Sequence, residues 1–154
     1  MTAMNLRGNA VDLLEDEDLE LRRLFTRLHA ARGGSVAERA EYDDLVVRTL
    51  GHVSAREAAV TEVTRAVSAE QGLRLVTSRY QRTRHKRRGL IDRLERMSRG
   101  TGGARGTGRN QGEDFDDELH RLVQLVGTEI EWDLDEALPA IRVVLAGAAR
   151  GNEL

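Results

Sequence analysis

The chain has 154 residues, 40% of them hydrophobic and 32% charged, with 3% aromatics and a single Pro. This composition fits one globular domain and disfavours a β-sandwich or barrel, favouring helices built from Ala, Leu, Val, Arg and Glu. The chain has no Cys, which excludes a disulfide scaffold, a cysteine nucleophile and thiolate metal sites. No apolar stretch approaches the ~18 residues of a membrane span, Met1–Arg7 lacks the apolar block of a signal peptide, and a net charge of −2 names no partner; the expected location is the cytoplasm, with no membrane association.

Helix 1 is predicted over about Asn9–Ala31, where Val11, Leu14, Leu21, Phe25 and Leu28 recur at three- and four-residue steps. Arg32-Gly33-Gly34 should cap its C-terminus, and Ser35 with Glu38 forms a capping box for helix 2. Helix 2 runs to about Ser68, with a seam of Leu45, Thr49, His52, Arg56, Val60 and Val63. Helix 3 spans the region from near Gly72 to about Ser98 along Val76, Tyr80, Arg84, Arg87, Ile91, Leu94 and Met97. Six glycines fall among the fourteen residues 99–112; with neither the Lys-Ser/Thr ending of a P-loop nor a preceding strand, the stretch reads as a flexible connection. Helix 4 starts near Glu113 with Phe115, Leu119, Leu122, Val126 and Leu138, and Pro139 should kink or end it before the apolar tail Ile141–Leu145. Four such helices with mostly short connections define an all-α, up-down-up-down four-helix bundle in one domain, residues 1–154.

Each seam is interrupted by ionisable residues near its middle: Asp18 in helix 1, His52 and Arg56 in helix 2, Arg84 and Arg87 in helix 3, Glu129 and Asp133 in helix 4. Isolated buried charges are costly, so inward-facing residues of this kind must meet one another, a metal or water. Rotating one or two helices by a residue would instead place these charges on solvated faces.

Four segments resemble the hemerythrin-like, or HHE cation-binding, family: Val11–Phe25 its opening helix, Leu50–Glu57 its His-x-x-x-Glu helix, Arg84–Glu95 its third helix, and Glu129–Pro139 its final His-x-x-x-acid helix. The resemblance implies a four-helix bundle around a non-haem di-iron centre that binds oxygen or senses redox state or iron. Carried over residue by residue, the ligand positions fall on Asp18, His52, Arg56, Arg84 (with His85 beside it), Glu129 and Asp133. Arg only donates and cannot coordinate a cation, so this ligand set is degenerate.

The leading expectation is therefore a non-enzymatic, hemerythrin-like protein with no cofactor. In it a buried network of Asp18, His52, Arg56, Arg84, Glu129 and Asp133 replaces the metal, and the role is regulatory or a contact with an unidentified protein partner. The alternative is an iron- and oxygen-binding protein ligated by His52, Asp18, Glu129, Asp133 and an inward His85. A second alternative is nucleic-acid binding through Arg79–Arg88, which carries six Lys/Arg in ten residues; negative net charge, a single aromatic in the run and the inward placement of some of its residues count against it. His29 reads as structural, His120 as partly exposed and Trp132 as packed at the bundle edge. No Ser-His-Asp or Cys-His motif supports hydrolase chemistry.

Overall fold

The apolar stripes become the inner faces of four rods in the computed structural model, which describes residues 3–31, 36–100 and 109–152. The helices are α1 (Ala3–Ala30), α2 (Val36–Val67), α3 (Arg74–Gly100), α4 (Arg109–Trp132) and α5 (Leu138–Asn152). A 3-10 turn at Gln71–Leu73 leads into α3. No helix among the described residues is long and apolar enough to cross a membrane.

Cross-helix pairs fix the topology. Arg7 meets Glu70 at 3.3 Å and Asp18 meets Arg56 at 2.7 Å, so α1 and α2 run antiparallel. Tyr80 reaches Asp133 while Arg93 pairs with Glu118 at 3.4 Å, so α3 and the fourth rod are antiparallel. Arg142 binds Asp12 while Arg22 binds Glu131, both at 2.9 Å, closing the ring between α1 and the fourth rod. The result is an all-α, up-down-up-down four-helix bundle.

Pro139 does not end the fourth rod, and the irregularity lies in the turn before it. The single π turn Asp133–Ala137 joins α4 to α5, and Leu138 N–H bonds to Asp133 C=O, five residues back. In a regular helix the Pro139 ring would press on the carbonyl four residues earlier and supply no donor; the wider turn relieves both. The two ends of the Gly-rich stretch also differ from expectation. Residues 99–100 close α3 and 109–112 open α4, several residues ahead of Glu113, while 101–108 lie outside the described residues. The expected Arg32–Gly34 cap and Ser35 also lie outside them. Helix α1 begins at Ala3, six residues ahead of Asn9.

Two apolar clusters fill the bundle. One holds Leu21, Leu24, Val46, Val53, Leu94, Leu122 and Val126; the other holds Val11, Leu14, Val63, Val67, Leu73, Leu138 and Ile141. Each rod passes from one cluster to the other through charged residues: Leu14 to Leu21 across Asp18, and Val126 to Ala137 across Glu129 and Asp133. The charged side chains thus occupy a layer between two hydrophobic halves.

Candidate functional site: a buried arginine–carboxylate layer

The layer is deeply buried: Asp18, Arg87 and Asp133 are 0% exposed, Arg56 1%, Glu129 2% and Glu57, beside the groove between α2 and α3, 7%. Arg56 projects from α2 into its centre. Its Nε donates to Asp18 Oδ1 at 2.7 Å, Nη2 to Asp133 Oδ2 at 2.6 Å, and Nη1 to Glu129 Oε2 at 3.3 Å. One guanidinium therefore ties α2 to α1, α4 and the π turn. Arg87 of α3 forms the second hub. Its Nη1 donates to both oxygens of Glu129, at 2.8 and 2.9 Å, its Nε to Glu57 Oε1, and another Nη1 contact reaches Thr83 Oγ1. Tyr80 donates its hydroxyl to Asp133 Oδ1 at 2.5 Å. The planar five-donor fork of Arg suits such multi-carboxylate binding, where Lys would act as a point charge.

Four carboxyl groups (Asp18, Glu57, Glu129 and Asp133) face two guanidinium groups, and a proton on Asp18 reduces this imbalance to three carboxylates against two cations. Burial pushes Asp18 up to about 9, reinforced by its hydrogen bond to Asp133 and opposed by Arg56. As a carboxylate, Asp18 would leave buried Oδ2 with no hydrogen bond; as a carboxylic acid it donates to Asp133 while Oδ1 still accepts from Arg56. Burial works against the Arg56 cation, but Asp133, Asp18 and Glu129 outweigh it and hold it protonated beyond its usual range. Burial and then Asp133 raise Tyr80, keeping it a phenol donor.

Of the residues read from the seams, the structure brings together Asp18, Arg56, Glu129, Asp133 and Arg87. It does not bring in Arg84, His52 or His85. Arg84 is exposed and lines a groove of about 310 Å³ between α2 and α3. The inward stripe of α3 is Tyr80–Arg87–Leu94, one residue every two turns, and Arg84 falls beside it. His52 sits half-buried at the edge, its Nδ1 2.8 Å from Glu17 Oε2, because the α2 stripe runs Thr49–Val53–Arg56–Val60. His85 points to solvent. Glu57 and Tyr80 complete the layer; the spacing Val53–Glu57–Val60 is the signal that marks Glu57 as inward. His29 and His120 are exposed, and half-buried Trp132 packs edge-on to Tyr80 at 5.2 Å under the Arg79 guanidinium.

This donor set does not fit a metal ion. The point where Asp18, Glu129 and Asp133 converge is filled by a guanidinium that only donates, and neither His52 nor His85 reaches the layer. Among the described residues, no group of three or more His, Asp or Glu is arranged to hold one. Comparison of the chain with protein-family models, curated proteins and solved structures gives no match.

Proposed function

We propose that this protein is a non-enzymatic, hemerythrin-like bundle whose di-iron position is taken by the Arg56–Arg87 carboxylate layer, and that it serves a regulatory or protein-interaction role without a cofactor. The observation that carries this reading is Arg56, which contacts Asp18, Glu129 and Asp133 at the mid-height of the bundle. Bundle cores are where carboxylate- and imidazole-bound metals are held by side chains from facing helices, and here a protein-borne cation occupies that position. Each of the four segments that carry the resemblance contributes to the layer, Asp18 from the first, Arg56 and Glu57 from the second, Arg87 from the third, and Glu129 and Asp133 from the fourth, although His52, Arg84 and His85 stand outside it. Arg87, three residues beyond the Arg84 position that the resemblance gives, makes the third helix's contribution. The layer's carboxylates are bound by guanidinium or phenol donors, or protonated, which suits holding four rods in register better than proton transfer or ligation.

The test is to restore what the arginines displace. Arg56→Glu with Arg87→His supplies a fifth carboxylate and an imidazole in the same layer. Because ligand binding to the folded state alone raises its stability, ferrous iron should raise the melting temperature of the double variant and leave the native chain unchanged. An iron-dependent rise in the native chain would support the iron-binding alternative instead.

A further inference from the structure

The charge on α3 bears no relation to that of the whole molecule. Residues 74–100 hold ten Lys/Arg and two Asp/Glu, whereas 109–152 hold four Lys/Arg and ten Asp/Glu, in a chain of net charge −2. Arg87 is the buried exception on α3. Arg74, Arg82, Arg84, Lys86 and Arg88 are all exposed, and none has an acidic partner among the described residues. The sequence alone leaves open how many of these residues turn inward; the structure turns one.

Their arrangement is as informative as their number. Arg84 and Arg88 flank the outer crest of α3 on the α2 side, where Arg84 lines the groove between the two helices. Arg82 and Lys86 flank it on the other side, that of Arg93, which pairs with Glu118 of α4. Between the two rows the crest carries Ser78, His85, Gly89 and Arg96, with a single carboxylate, Asp92. From Arg74 to Arg96 the helix covers about 33 Å at 1.5 Å per residue, close to the ~34 Å turn of duplex DNA. Its width of ~10–12 Å matches a major groove ~12 Å across.

We propose that the outer face of α3 binds the phosphate backbone of duplex nucleic acid, the two cationic rows engaging phosphates on either side of a groove. Arginine dominates the face, and its fork matches phosphate oxygens. The crest of this face holds no Phe, Tyr or Trp, and the single imidazole of His85 is no platform for successive unpaired bases, which favours a duplex over a single strand. The acidic fourth rod, repelled by the same polyanion, orients the molecule with α3 toward it. This inference stands independently of what the buried layer replaces.

Fluorescence anisotropy with a labelled 20-base-pair duplex, titrated from 50 to 200 mM KCl, tests it. Five phosphate contacts give a log–log salt slope of about −4.5. Arg82→Gln/Arg84→Gln/Arg88→Gln should reduce it to about −1.8 and weaken binding at 100 mM KCl at least ~10-fold. Arg22→Gln, on α1 diagonally across the bundle, should bind as the native chain does, and circular dichroism should show each variant folded. Should the triple variant fail to fold, Arg82→Gln alone must lower the slope by about 0.9. Absence of binding at 50 mM KCl, or a slope unaffected by the substitutions, overturns the proposal. Tighter binding to the matching single strand, or equal competition by polyglutamate of the same charge, overturns the duplex assignment.

Discussion

Removing the guanidinium of Arg56 while keeping much of its volume, as in Arg56→Met, is the perturbation to which this fold should respond most strongly. Three carboxyl groups lose their shared donor at once: Asp18, Glu129 and Asp133, at 2.7, 3.3 and 2.6 Å. All three are at most 2% exposed, so bulk water cannot readily replace the lost donor. Breaking a buried ion pair from one side typically costs about 3–5 kcal/mol, a large part of the ~5–15 kcal/mol by which domains are stable. For a domain of this size each kcal/mol moves the melting temperature by about 2–4 °C, so the drop should be about 6–20 °C. Urea unfolding followed by circular dichroism gives the free energy directly. Part of the loss should return on acidification, since protonating the abandoned carboxylates removes their uncompensated charge. A variant within about 1 kcal/mol of the native chain at pH 7, far below the cost of orphaning buried carboxylates, would refute the reasoning.

Asp18→Asn mimics the protonated acid, with a carbonyl for Arg56 and an amide donor for Asp133. The native state holds a proton on Asp18 up to about pH 9, whereas the unfolded chain releases it near pH 4. Native stability conferred by that proton is full below pH 4 and falls as pH rises toward 9, so Asp18→Asn should gain on the native chain across this window in pH-dependent melting. Tyr80→Phe removes a buried 2.5 Å donor to Asp133 and should cost about 1–3 kcal/mol in urea unfolding. Arg142→Ala removes two partly exposed pairs, with Glu15 and Asp12, and should cost no more than about 1 kcal/mol, an effect that shrinks further at high salt.

The fold follows from periodicity that a reader can extract residue by residue: Val11, Leu14 and Leu21 in α1, or Leu119, Leu122 and Val126 in α4, are all buried at helical spacing. The charged layer follows from the same stripes, because Asp18, Arg56, Glu129 and Asp133 each have an apolar residue three or four positions away on both sides. Helix 3 is harder, since Arg84 and Arg87 lie three apart and both border apolar positions; only packing decides that Arg87 is the one turned inward. His52 misleads for a related reason, lying one position from buried Val53. Family resemblance strengthens that error by drawing the eye to the one imidazole in a motif whose inward partners are Arg56 and Glu57. The proton on Asp18 is not written in the sequence at all, because it depends on four carboxyl groups from three rods meeting two guanidinium groups. The π turn before Pro139 belongs to the same category. Proline signals a local interruption, but how the chain continues is set by what its two sides pack against.

Metal content tests the central claim most directly. Protein purified without chelator from iron-supplemented cells should contain iron far below one equivalent per chain by elemental analysis and show no oxo-bridge absorption, because Arg56 already fills the centre of the layer. Near-stoichiometric iron accompanied by that absorption would contradict the account, since it requires the guanidinium to leave the carboxylates it now binds.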